Sequence, residues 1–364
     1  MIVVIIGAGL LGASLGLALG ERGDEVYLAD TSPLSLSLAC GLGAGRAVSE
    51  LDEHTAPDLV IVATPPDVTA SVAARQLQRW PEAIVMDVAS VKGPIMRTLA
   101  SNVGACDLTR FVGAHPMAGK EKSGAPNADG ELFLGRPFVV VPTESTTKLA
   151  IDTVNQLAID IGAMPVQMDA ALHDDAVAAI SHLPQLMSSL LASQLLDVPE
   201  AALTLAGQGL RDTTRIAASD PLLWAAILSS NAAPLRPHVA RIREALTEVL
   251  SALDACEDDT YPPAAIAKLA RTIEYGAAGV AKIPGKHGGK ARTYATIVVY
   301  VPDRPGQLAR LFVDIGEAGV NIEDVRLEHA AGAKMGLATI SVNPNQRDLV
   351  VEYLSERNWS VVAS

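Results

Sequence analysis

A chain of 364 residues with a formal net charge of −13 has room for two or three domains, and that acidity opposes a polyanionic partner, since no basic patch offsets it. Apolar residues supply 49% of it and aromatic ones only 4%, so aliphatic cores are expected and the aromatic platforms of nucleic-acid binders are not. Cys40, Cys106 and Cys256 are scattered without metal-ligand spacing and read as reduced core residues. With no basic leader segment and no bilayer-length apolar run, the expectation is a cytoplasmic chain with neither a metal nor a membrane span.

The first predicted element is a strand at Ile2-Val-Val-Ile-Ile6, continuously apolar and β-branched, as suits a strand buried on both faces of a parallel sheet. It runs into Gly7-Ala-Gly9-Leu10-Leu11-Gly12 and then a helical stretch through Leu19. This is G-x-G-x-x-G in the setting the motif requires, with a strand before it and a helix after it. Gly7 allows the tight turn, Gly9 lets the backbone approach a pyrophosphate, and Gly12 lets the helix pack close to the sheet. Leu10 and Leu11 complete a helix start whose N–H groups and dipole favour phosphates. The next strand, Glu25-Val-Tyr-Leu-Ala-Asp30, ends on an acid. A carboxylate there accepts hydrogen bonds from both adenosine ribose hydroxyls and repels a 2′-phosphate, so the expected cofactor is NAD rather than NADP. The plainer alternative for Asp30 is a solvated strand-end residue.

Strand-like runs continue at Asp58–Ala63, Ala83–Asp87, Arg110–Ala114 and Pro137–Pro142, and the first of these leads into Thr64-Pro65-Pro66, with Thr64 and Pro65 expected at the cofactor. The alternation predicts a Rossmann-like, doubly wound α/β domain over residues 1–168, with a parallel sheet and antiparallel additions at one end. Residues 169–283 turn to long Ala- and Leu-rich helical patterns, among them Ala176–Leu196, Pro221–Ser230 and Pro234–Asp254, and Pro184 should kink the first. A Gly- and Lys-rich linker at 284–292 leads to a unit at 293–364. Its order is strand Tyr294–Val301, helix Gln307–Ala318, strands Gly319–Glu328 and Gly336–Val342, helix Asn345–Glu356 and strand Trp359–Ala363. That βαββαβ order is ferredoxin-like.

Three clusters carry polar chemistry. In Asp87-Val-Ala-Ser90-Val-Lys92-Gly93 a strand ends where open α/β sheets face their ligand crevice, so Ser90 is either a site residue or the N-cap of the following helix. In Gly113-Ala-His115-Pro-Met-Ala-Gly119, His115 is expected in a constrained loop at a strand end, where an imidazole can take a proton from an alcohol at neutral pH. The helical region contributes His173-Asp174-Asp175, then Ser181-His182-Leu-Pro-Gln185, with Ser181 and Gln185 on one helix face, and Arg211–Pro221. Arg215, amid apolar helical neighbours, is either an ion pair with Asp212 or a fork for a substrate carboxylate.

As an ordered set, these motifs resemble the prephenate/arogenate dehydrogenase family of tyrosine biosynthesis: GAGLLG at 7–12, DVASVKG at 87–93, GAHPMAGKEKSG at 113–124, LHDD at 172–175, SHLP at 181–184 and DTTRIAASDPLLW at 212–224. The resemblance implies that His115 is the catalytic base at a ring C4 hydroxyl and that Ser90 orients that hydroxyl. It also implies that Arg215 binds a substrate carboxylate beside Asp212, that Ser181 and His182 belong to a substrate-facing helix, and that Trp224 lies near the site or a dimer contact. Some prephenate-using members read SHLPH where this chain has Gln185, so prephenate and arogenate both remain open as substrate. The implied reaction removes a hydride from C4 to NAD and carbon dioxide from C1, giving 4-hydroxyphenylpyruvate, or tyrosine from arogenate. A 3-hydroxy-acid or 6-phosphogluconate type of dehydrogenase, and a non-catalytic NAD and amino-acid sensor, are the competing readings.

The tail resembles an ACT domain through VPDRPGQLARLF at 301–312 and GVNIEDV at 319–325. Its turn Asp303-Arg304-Pro305-Gly306, opposite Asn321, offers backbone N–H groups and an amide suited to an amino-acid effector, and the implied pathway points to tyrosine. The alternative is a dimerisation module without a ligand. Exposed sheet edges are safest when paired, so a homodimer is expected.

Overall fold

The computed structural model describes residues 1–120, 122–256, 261–284, 294–329 and 335–362. Residues 285–292 of the expected linker, Glu121 and Ala363 lie outside the described residues. Contacts divide the chain into two compact units, Met1–Leu196 with Thr214–Ile242, and Asp197–Thr213 with Arg243–Ser364. The helical stretch after residue 168 is shared between them.

The first unit is built on one eight-stranded sheet: β1 (Ile2–Ile6), β2 (Glu25–Ala29), β3 (Arg46–Ala47), β4 (Leu59–Val62), β5 (Ile84–Asp87), β6 (Phe111–Pro116), β7 (Pro137–Pro142) and β8 (Met164–Gln167). Their spatial order is β3-β2-β1-β4-β5-β6-β7-β8, parallel except where β7 runs antiparallel to β6. The order reverses between β1 and β4, which opens the switch-point crevice of a dinucleotide fold. The longer helices here are α1 (Leu10–Glu21), α2 (Pro33–Gly41), α3 (Pro66–Arg79), α4 (Gly93–Asn102), α5 (Lys148–Asp160), α6 (Ala170–Val177), α7 (Leu183–Ser193) and α8 (Pro221–Ser230), followed by the start of α9 (Ala232–Asp254).

Both faces of the sheet are covered, which is why its strands read as unbroken apolar runs. Val3, Ile5, Leu59 and Ile61 pack on the face shared with Leu15 and Leu19 of α1, while Val4, Val60 and Val62 pack on the other with Leu77 of α3 and Leu99 of α4. Each such fully buried side chain contributes roughly 1.5–3 kcal/mol relative to an exposed one. The free cysteines Cys40 and Cys256 are half-buried rather than core residues.

The helix expected at Ala176–Leu196 begins six residues earlier and changes register on the way. Between α6 and α7, Ala178–His182 forms a π turn, and the Leu183 N–H donates to Ala178 O, five residues back. Pro184, which has no N–H to donate, occupies the first turn of α7. The expected kink is therefore a π segment that carries Ser181 and His182.

The second unit holds the C-terminal part of α9, helix α10 (Pro263–Val280), and strands β9 (Ala295–Pro302), β10 (Asp324–His329), β11 (Met335–Val342) and β12 (Ser360–Val362). These strands pair antiparallel in the order β10-β11-β9-β12. Ile297, Val299 and Val301 alternate inward from β9 onto Leu311 and Ile315 of α11 (Gln307–Glu317) and Val350 and Leu354 of α12 (Arg347–Glu356). The opposite face of β9 exposes Tyr300. Such alternation marks a sheet covered on one side.

Candidate active site

A cavity of about 590 Å³ opens at the carboxyl ends of the central strands. Gly9, Leu10, Leu11, Thr64 and Pro65 line one end of its wall, and Ser90, His115, Ser181, His182 and Trp224 line the other.

The first group fits a dinucleotide. Gly7 has a φ of +107°, open to glycine alone at little cost, and a Cβ there would collide with the carbonyl of Ala63. A Cβ on Gly12 would collide with the carbonyl of Gly7. Both glycines are therefore required by the fold itself. Gly9 differs: nothing lies within 4 Å of the position its Cβ would take, so the open space is on the cavity side. It also caps α1 without a side chain, leaving the helix N–H groups for an anion. Asp30 follows β2, with Oδ2 accepting from the Ala8 N–H at 2.7 Å and Oδ1 from the Ser32 N–H at 2.7 Å. It therefore braces the glycine turn, and each oxygen keeps a lone pair for a ribose hydroxyl.

The second group rests on buried charge. His115 lies within β6, opposite Val139 of β7, and not in the loop that follows. Antiparallel pairing with β7 extends the strand beyond its apolar run to Pro116. Lys92, fully buried, donates from Nζ to the Ala114 carbonyl at 2.7 Å and to Asp87, which is also fully buried. Burial pushes the Asp87 carboxyl up and the Lys92 ammonium down, and each charge opposes the other's shift. The pair clamps the backbone next to His115.

The His115 side chain is held separately. Its Nδ1 lies 2.9 Å from Nε2 of His173, whose Nδ1 lies 2.8 Å from Oδ1 of Asp174. Asp174 also accepts the backbone N–H groups of Lys92 and Gly93, each at 2.8 Å, at the start of α4. Burial raises the Asp174 pKa, but the hydrogen bonds from His173 and these amides outweigh it and hold the carboxyl below its ordinary value. Burial, then the neighbouring His173, Lys92 and His182, keep His115 well below the usual histidine range. His182, lowered to about 4 chiefly by burial, meets the Asn231 amide at 3.0 Å through Nδ1 and packs edge-on against Trp224. At neutral pH both cavity-lining imidazoles are uncharged.

Other expected residues lie elsewhere. Ser90 is half-buried on the cavity wall, and Lys92, not Ser90, occupies the N-cap position of α4, because the chain needs two more residues to reach the helix. Ser181 and Gln185 do not share a face: the π turn ends between them, so Ser181 lines the cavity and Gln185 is buried away from it. The Gln185 Nε2 donates to the Ile216 carbonyl at 2.9 Å. Arg215 is exposed and opens a 3₁₀ turn, Arg215–Ala217, instead of sitting inside an apolar helix. Asp212 belongs to the other unit, where its Oδ1 accepts from Gln208 at 2.7 Å. In the tail, Gly306 has a φ of +83° at the start of α11, and the Asn321 amide donates to Glu323 at 2.9 Å. Lys92, His173 and Asp174 stand in the polar clusters of the sequence without a role assigned to them, and Asn231 stands in none; for Lys92 the signal is a lysine five residues after an acid at a strand end. No metal-binding group of three or more His, Cys, Asp or Glu occurs among the described residues.

Comparison with known proteins agrees with this geometry. Residues 15–167 match the nucleotide-binding domain of prephenate dehydrogenase and residues 169–262 its dimerization domain. The chain is 35% identical to the probable prephenate dehydrogenase NovF of Streptomyces niveus, over 98% of both chains. Among solved structures it resembles a prephenate dehydrogenase from A. aeolicus in complex with hydroxyphenyl propionate and NAD+, at 28% identity and a TM-score of 0.64, covering 77% of this chain and 98% of that one. A Synechocystis arogenate dehydrogenase aligns at 26% identity and a TM-score of 0.58, over 76% of this chain and 100% of that one. With a Rossmann-like nucleotide-binding domain followed by a helical dimerization domain, the chain belongs to the prephenate dehydrogenase family.

Proposed function

We propose that this chain oxidatively decarboxylates prephenate with NAD, using His115 as base. The observation that carries the reading is one cavity walled by both the glycine turn and the His115–Ser90 pair, within the size range of small-molecule sites. Gly7, Gly9, Leu10, Leu11, Gly12, Asp30, Thr64 and Pro65 would hold NAD, which supplies a hydride acceptor when bound. Oxidation at a carbon bearing a hydroxyl releases that hydroxyl's proton, and His115, neutral by burial, is the group to hold it. Ser90 orients the hydroxyl. Arg215 binds a substrate carboxylate, its turn steadied by Gln185 through the Ile216 carbonyl. Loss of the ring carboxylate as carbon dioxide makes the ring aromatic and needs no second base. Ser181 and His182 complete the wall on the substrate side.

Arogenate is the second reading, supported by the likeness to the Synechocystis enzyme and by the Gln185 departure. Side-by-side turnover of the two substrates decides between them: prephenate is expected to be faster, and activity on neither would overturn the proposal.

The domain reading is 1–168, 169–283 and 293–364, joined by the linker at 284–292, in a cytoplasmic homodimer. Among the described residues no helix is long and apolar enough to cross a membrane. The tail, with its βαββαβ order, is proposed as an ACT-like unit that binds tyrosine at Asp303, Arg304, Pro305, Gly306 and Asn321. Tyrosine titration of the full chain and of Asn321→Ala tests this, because inhibition that is identical in both would place it elsewhere.

A further inference from the structure

We infer that Asp174 sets the tautomers of both imidazoles lining the cavity, leaving His115 a proton acceptor at Nε2 and His182 a proton donor at Nε2. The inference deepens the reading of His115 as the base and rests on it.

The first chain runs through the Asp174 side chain. An ionised carboxylate only accepts hydrogen bonds, so the proton between it and His173 belongs to Nδ1 of His173. A neutral His173 then has a bare Nε2, and that nitrogen lies 2.9 Å from Nδ1 of His115. Nδ1 of His115 must carry the proton in this contact, which leaves Nε2 of His115 with the lone pair. His173 is 1% exposed, so bulk water does not compete for its ring nitrogens. Nor does Asp174 need a protonated His173 to balance its charge, because the start of α4 already presents two N–H groups and the positive end of its dipole to that carboxylate. The titratable groups facing this pair are Asp174, the Lys92–Asp87 ion pair and the neutral His182.

The second chain runs through the Asp174 backbone. Its carbonyl accepts from the Asn231 amide at 2.9 Å, which fixes the amide with its NH₂ toward both Asp174 and His182. Nδ1 of His182 is therefore the acceptor at 3.0 Å, and the ring proton sits on Nε2. Asn231 is 1% exposed and its Oδ1 has no partner, so the amide orientation is dictated from one side alone. His173, Asp174 and Asn231 are thus positioning residues: they present one imidazole that takes the hydroxyl proton and another that donates to an oxygen of the substrate.

Long-range proton–nitrogen NMR of ¹⁵N-histidine-labelled full chain at pH 7, without NAD or substrate, reads both tautomers directly, with His115→Asn and His182→Gln assigning the signals. The expected result is Nδ1–H for His115 and Nε2–H for His182. His173→Leu is expected to mix the His115 tautomers and lower kcat roughly 10²-fold, while His173→Gln, which can still accept and donate at the same places, recovers most of that loss. The acid limb of the His173→Leu kcat profile should shift, because the His115 ring loses its hydrogen-bond partner and a neighbouring imidazole together. An Nε2–H His115 in the unaltered protein would overturn the inference, as would a His173→Leu variant with unchanged spectrum and pH profile. Expected tautomers without turnover of prephenate or arogenate would instead overturn the functional reading and leave this one standing.

Discussion

The two ends of the cavity are built by opposite means. The dinucleotide end is almost all backbone: Gly7 and Gly12 are fixed by carbonyls that leave no room for a Cβ, Gly9 leaves space, and the Asp30 carboxylate braces the turn. The reacting end is almost all side chain, with Asp87, Lys92, His173, Asp174, His182 and Asn231 buried around His115. Backbone recognition is tolerant of what surrounds it, since a helix start and a turn need only be left uncovered. Side-chain recognition must satisfy each buried polar group, so its parts stand or fall together.

Substitutions should separate the two ends. His115→Asn is expected to lower kcat by roughly 10²–10⁴-fold with NAD affinity unchanged, measured by turnover and by cofactor titration. A matching loss of NAD affinity would mean that the two ends are not independent. Lys92→Met leaves Asp87 buried and unpaired and is expected to cost about 3–5 kcal/mol of stability in urea unfolding, a loss that a polar but solvated lysine would not show.

Acid should weaken the reacting end first. Above about pH 6.5 His115 and His182 are neutral in both folded and unfolded chains; below it the unfolded chain takes up protons at these two that the folded one resists. Stability is therefore full above about pH 6.5 and falls as pH decreases, for His182 until about 4. The urea midpoint followed across this range should slope less in His182→Gln, and an equal slope would remove His182 from the account. The smallest effect belongs to the dinucleotide end. Asp30→Asn loses the charge and keeps only one of the two backbone hydrogen bonds from Ala8 and Ser32, so the NAD-to-NADP ratio of kcat/KM should narrow by about tenfold with activity retained.

The same contrast governs what the sequence disclosed. Strands β1 and β7 and helix α8 fall where their patterns put them, because burial on both faces, or a Pro at a helix start, writes itself into adjacent residues. The glycine turn is equally local. His115 and His173 are 58 positions apart, and no spacing rule joins them. Arg215 read as an interior charge because its neighbours are apolar, yet the 3₁₀ turn exposes it. Gln185 read as a wall residue because four positions usually means one face, a rule that fails across a π turn.

That π turn amounts to one surplus residue threaded into a helix. His173 and His182 are nine positions apart, about two and a half turns of regular α-helix, which would set them on opposite sides of the rod. Absorbing one residue shortens the effective spacing to eight, about 2.2 turns, and swings the second imidazole round by about 100°. The phase of the helix is thus what lets residues on either side of Val177 serve one hydrogen-bond network. Excising a single alanine from Ala178–Ala179 removes that surplus residue and should restore an ordinary helix with a true spacing of eight, so that His182 still turns toward the network, with every side chain of the site present.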